Sequence, residues 1–351
     1  MPQDPTFPVF FADSDRTEEE NAAHWSANVH CSFQNTFSRW RDSSSLTKPM
    51  PKIALMVFEN NKPDACAQKT DFGYSISLNS GLYRSVNQLF RTTLAHPTTF
   101  LSIGNFLLEK MPKSTDSTGN HRFANGVIGH ASRTPVDDTR LAFADHLTEL
   151  TMRFVIDHEL GHILAGHLDY KPQMSELAEV AGQRSLAEAE SFALEMHADE
   201  LAFYSCFYWI MDSLSGNEQV MPKTIFMETV DAQLHDLYVA TYALFQLFSH
   251  LTMSETHPSP LHRQIRLGVM FDWMCKSSEI SLINKPIELV GQALHTFNKY
   301  MEHVFQLDWQ DRKDETDYIL SKGMENEIAP YSEMVTSMYP ALKPHSFLKL
   351  E

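Results

Sequence analysis

Two histidines in this 351-residue chain, His158 and His162, stand four residues apart, with Glu159 directly after the first. On an α-helix, residues i and i+4 lie one turn apart on the same face. Imidazoles so placed can bind one Zn²⁺, while Glu159 reaches the water at the metal's remaining position. The surrounding residues 154–168 form an apolar run that reads as a buried helix. A catalytic zinc takes three protein ligands and keeps one position open, so a third ligand has to be found. The bland alternative is a helix with two core or surface histidines that bind nothing.

The third ligand is not a histidine ten residues after the first, as the metzincin pattern HExxHxxGxxH requires, because Ala165 and Leu168 occupy its glycine and histidine positions. His167 is close in sequence, but nine residues at about 100° each place it opposite His158 on a continuous helix. It reads as a helix-end histidine favoured by the C-terminal dipole. The stretch Glu195-Met196-His197-Ala198-Asp199 offers more, since Glu195 and Asp199 share one face at i and i+4. Glu195 can ligate the metal while Asp199 accepts a hydrogen bond from a ligating imidazole and so fixes its tautomer. His197, about 200° round the helix from Glu195, is expected to point away. Glu188, Glu190 and Glu200 lack an acidic partner four residues on and read as a solvated face.

These residues need helices to hold them, and the chain supplies the patterns. A helix is expected over 17–41, with Trp25, Val29, Phe33 and Phe37 stepping along one face. Short strands are expected at 53–58 and 74–78, and Gly81 opens a helix that ends near His96-Pro97. Residues 100–111 read as a further short helix and 113–140 as a long polar loop, either functional or a disordered insertion. The zinc helix is expected from Asp138 or Thr139 to about His167, followed by helices over 185–213, 223–253, 260–275 and 286–307. The last forty residues are charged, carry Pro330, Pro340 and Pro344, and look peripheral. The fold class is therefore α+β, mainly helical, with a small early sheet.

Composition narrows the function. With 28 Lys and Arg against 45 Asp and Glu, a net charge of -17, nucleic acid is an unlikely partner. Cys31, Cys66, Cys206 and Cys275 show no CxxC spacing, which disfavours a cysteine zinc site and a disulfide framework, so they read as reduced and mostly buried. No apolar run reaches the roughly 20 residues of a membrane span. The N-terminal residues have neither a basic nor an apolar segment typical of a cleaved signal, and a cytoplasmic location is expected.

Taken together, the HExxH and Glu195–Asp199 motifs resemble those of the gluzincin zinc metallopeptidases, and most of all the minigluzincin group that contains HtpX and the CaaX prenyl protease, whose second helix carries ExxAD. Asp64-Ala65-Cys66-Ala67, Ser80-Gly81-Leu82 and His257-Pro258-Ser259-Pro260-Leu261-His262-Arg263 resemble further segments of that group in the same order. Asp64 stands where the group favours Asn, residues 97–140 form an insertion, and the membrane helices of its embedded members are missing. The resemblance implies a zincin-like core at 51–275, its sheet packed on the HExxH helix, between an N-terminal extension, 1–50, and a helical C-terminal extension, 276–351. It implies one Zn²⁺ on His158, His162 and Glu195, Asp199 behind them, and Glu159 as general base. His257 and Arg263 would approach the metal to stabilise the oxyanion, and strand 74–78 would be the edge strand beside the cleft. The expected activity is endoproteolysis of specific protein substrates. The alternative is a non-catalytic, zinc-stabilised interaction module that retains the fold.

Overall fold

The structure, a computed structural model, describes residues 18–43, 45–110, 133–170, 184–214, 229–250, 260–277, 286–305 and 329–350. Its elements are α1 (Glu18–Arg41), β1 (Ile53–Phe58), β2 (Ala65–Thr70), β3 (Gly73–Asn79), α2 (Ser80–Leu94), α3 (Asp138–Leu164), α4 (Arg184–Leu214), α5 (Val230–His250), α6 (Pro260–Ser277), α7 (Pro286–Phe305) and α8 (Ala329–Leu342). The mainly helical α+β class is as expected, with the sheet early in the chain. Helix α3 is at the centre, in contact with α1, α2, α4, α5 and the sheet. From Arg140 onward it is buried on nearly every side. Val29 and Phe33 of α1 join this core and Phe37 packs at its margin, while the Trp25 side chain lies outside the described residues.

The sheet has the order β1-β3-β2, with β1 parallel and β2 antiparallel to β3. Strand β3 is therefore the central strand, which corrects the expectation that 74–78 forms an edge. The reason lies in β2, whose residues Ala65-Cys66-Ala67-Gln68-Lys69-Thr70 bury only Ala67 and so give no apolar alternation to read. The edges among the described residues are β1 and β2, and β2 lies against α3. Tyr74, Ile76 and Leu78 enter the core, whereas Met56 and Phe58 point outward from β1.

Where a helix was expected over 100–111, the described residues 100–110 form only a single 3-10 turn at Phe106–Leu108. Arg140 organises this segment instead. Its fully buried guanidinium donates to the carbonyls of Leu94, His96, Thr99, Phe100 and Ile103 at 2.8–3.2 Å. Five main-chain acceptors thus close around one donor fork, which satisfies a loop that has no ladder of its own. Residues 111–132, most of the expected long loop, lie outside the described residues.

The C-terminal segment is not peripheral. Helix α8 packs on α4, and the chain beyond it reaches the end of α3. There the backbone N–H of Phe347 donates to the Leu164 carbonyl at 2.7 Å, and the Ser346 hydroxyl donates to the same oxygen at 3.2 Å. A helix end leaves carbonyls without intrahelical donors, and these residues supply them. Leu348 in turn bridges to Leu46, so the segment is held from both sides. The cysteines form no disulfide; Cys206 and Cys275 are buried and Cys66 is exposed on β2. No described helix is long and apolar enough to cross a membrane.

Candidate metal centre

Helices α3 and α4 approach closely at Gly161, which has no side chain to hold them apart. A Cβ at Gly161 would come within 3.3 Å of the Ala198 carbonyl oxygen and 3.4 Å of Leu201 Cβ. With glycine opposite alanine, the helices approach until side chains one turn along can share a point. Glu195 and Asp199 project from α4 on one face, as their spacing predicts, toward His158 and His162 on α3.

Three atoms converge there. His158 Nε2 lies 3.2 Å from His162 Nε2, and Glu195 Oε2 lies 3.4 Å from the first and 3.3 Å from the second. Three lone pairs facing one another at such distances would suit a cation between them. A cation held at about 2.0–2.1 Å from atoms at three tetrahedral corners requires corner separations of about 3.3–3.4 Å. The buried group therefore has the composition and spacing to hold a metal ion, and it is the only such cluster of three among the described residues. A tetrahedron built on these corners has a fourth corner, and no fourth ligand for it is found among the described residues.

The electrostatics favour a cation at the same place. Burial alone would lower the His158 pKa, but the hydrogen bonds to Asp199 and Glu195, with the charge of nearby Glu159, raise it to about 10. The environment thus stabilises a positive charge beside Glu195, the charge a metal would bring. Behind His158, Asp199 Oδ1 sits 2.8 Å from Nδ1, while Arg263 donates to both carboxylate oxygens at 2.7 Å. Burial would raise the Asp199 carboxyl, but Arg263 and His158 hold it below the usual range, so it is ionised. Arg263 is itself buried, with its guanidinium 3.9 Å from the centroid of the Phe245 ring. The structure gives this arginine a different place from the expected one: it is bound two-pronged to Asp199 and backs His158 through that carboxylate. His257 lies outside the described residues.

His167 and His197 stand in one row with His162. Helix α3 ends at Leu164, and Gly166 takes a φ of +81°, a left-handed conformation that glycine adopts without cost. The rotation of a continuous helix no longer applies to His167, which folds back beneath His162. Its Nδ1 lies 3.0 Å from His162 Nδ1, and its Nε2 lies 3.1 Å from His197 Nδ1. His167, just beyond the end of α3, is a buried neighbour of the candidate ligand His162 and not one of the converging donors. His197, expected to point away from Glu195, is outside the trio of donor atoms and is buried at the end of this row beside the Tyr339 ring. Burial, with Arg266 and His162, pushes His197 down to about 4, so its ring is neutral at ordinary pH. Glu200 is likewise not solvated, being buried in an ion pair with Arg266. The signal for these neighbours was Gly166 itself, a helix-stop residue directly before the histidine.

Compared with protein-family models, with curated proteins and with solved structures, the chain gives no match to any of them.

Proposed function

We propose that the protein is a zinc-dependent endopeptidase with a zincin-like core, and that His158, His162 and Glu195 hold the metal. The observation that supports this most is the convergence of two imidazole nitrogens and one carboxylate oxygen at 3.2–3.4 Å, with Glu159 adjoining the first imidazole. Nitrogen and oxygen donors in a tetrahedral set with one corner left open suit a catalytic zinc, whereas structural zinc sites are usually closed by a fourth protein ligand. Zn²⁺ at such a centre supplies Lewis acidity, which brings the pKa of water toward neutrality and polarises a carbonyl.

The protein's own groups do the rest. Glu159 accepts the proton of the attacking water and passes it to the departing amine, the task of a general base that becomes a general acid. Asp199 keeps the proton of His158 on Nδ1 and thus leaves Nε2 free to donate its lone pair. Arg263 fixes Asp199 through two parallel hydrogen bonds and acts as a positioning residue. The substrate is a protein segment in extended form that adds alongside β2, an edge strand among the described residues, next to the helix carrying the histidines. Main-chain pairing at β2 takes the place first expected of strand 74–78. A module that only binds has no use for a buried carboxylate at position 159, which favours the enzyme over the interaction protein.

The test is a mass-spectrometric comparison of cells expressing the wild type or Glu159→Gln. Neo-termini present with the wild type and missing with the variant support an endopeptidase and name its substrate. Identical sets of termini, with both proteins folded and zinc-loaded, contradict it.

A further inference from the structure

We propose that His167 and His197 form an all-imidazole relay of fixed tautomers that orients His162 for the metal. It rests on the zinc assignment above and extends it to residues that touch no metal.

The proton order follows from geometry. His162 turns Nε2 toward His158 and Glu195, so this nitrogen must be bare when a metal is held and the ring proton sits on Nδ1. That N–H has His167 Nδ1 as its partner at 3.0 Å, which must therefore accept. A neutral imidazole that accepts at Nδ1 carries its proton on Nε2, and His167 Nε2 lies 3.1 Å from His197 Nδ1, which accepts in turn. One choice at the metal thus sets three rings. The opposite order would put a proton on His162 Nε2, where the metal belongs.

Burial holds the row in place. His167 is fully buried and His162 and His197 nearly so, which leaves little room for water to substitute for a missing ring. A Cβ at Gly166 would fall 2.6 Å from the His345 carbonyl carbon and 2.7 Å from Ser346 N, so the C-terminal segment is wedged against the turn that presents His167. The two histidine ligands are consequently backed by different chemistry. His158 faces a carboxylate locked by an arginine, and His162 faces a neutral ring. An imidazole nitrogen accepts more weakly than a carboxylate, so His162 is the less basic ligand of the pair.

The test compares full-length wild type, His167→Phe and His167→Gln by Zn²⁺ competition against a chromophoric chelator. Outer partners of ligating histidines change metal affinity by about 10–100-fold when lost. Phe, which fills the space without an acceptor, is expected to weaken Zn²⁺ by that factor. Gln, which can accept and donate, is expected to restore most of it. Equal affinity in all three proteins overturns the relay, as does a Gln variant no better than Phe. Because His167→Phe can fail to fold, the second measurement is ¹⁵N NMR of ring-labelled, zinc-loaded wild type. Protons on His162 Nδ1 and His167 Nε2 support the relay, and a proton on His167 Nδ1 overturns it. If wild type takes up no Zn²⁺, the zinc assignment falls and the relay with it; if wild type binds and His167→Phe binds as well, the relay alone falls.

Discussion

At the scale of single residues, the site separates atoms that would meet the metal from atoms that hold those in place. Asp199 and Arg263 show the difference, since neither contributes a donor atom to the convergent trio and both are buried behind His158. Removing one member of a buried pair leaves the other charge uncompensated, at a cost of about 3–5 kcal/mol. Arg263→Met is therefore expected to destabilise the fold by about that amount, read in urea denaturation. The motif residues were legible in sequence because helical spacing alone places His158 beside His162 and Glu195 beside Asp199. The role of Arg263 was not, since nothing in one dimension indicates which carboxylate a distant arginine will grip.

Among the elements, the α3–α4 contact and the turn after α3 decide whether the site exists. Gly161 sets the distance between the helices, and Gly166 ends α3 where His167 can fold back. Gly166→Ala places a Cβ in the left-handed region and against His345 and Ser346. We expect a loss of about 1–3 kcal/mol, read from the denaturation midpoint, whereas Gly291→Ala, with nothing within 4 Å, is expected to have little effect or to stabilise slightly. Most helices were readable from their apolar period, and β1 and β3 from theirs. Strand β2 was missed because an exposed edge strand rich in Gln, Lys and Thr carries no such period. The helix break at Leu164 was missed because the apolar run continues past it to Leu168. Both errors share a physical cause: tertiary partners, here β3 and the residues around Ser346, satisfy the backbone where local pattern is silent.

In the molecule as a whole, separate parts of the chain are tied to α3. Asp169, just beyond the α3 turn, accepts from Lys69 of β2 and from the Tyr74 hydroxyl of β3 at 2.5 Å. Burial would raise its pKa, but these two donors outweigh it and hold the carboxyl below the usual carboxylate range. A depressed folded value contributes stability that is present above the unfolded pKa and lost as pH falls through the folded one. The Tm difference between wild type and Asp169→Asn should thus be full at neutral pH and shrink once pH falls below about 4. Metal binding would stabilise the same fold, because the candidate ligands from α3 and α4 meet only when the core is formed. At a free zinc concentration about 1,000-fold above Kd, binding adds about 4 kcal/mol. A chelator should lower the Tm of the wild type and leave that of His162→Ala unchanged. The proposed centre, in which His158, His162 and Glu195 together hold a zinc ion that Glu159 uses but does not ligate, is tested by metal content. Purified wild type, Glu159→Gln and Glu195→Ala are equilibrated with limiting Zn²⁺ and read by plasma mass spectrometry. One zinc per chain in the first two and little in the third is the expected result; stoichiometric zinc in Glu195→Ala, or none in the wild type, contradicts it.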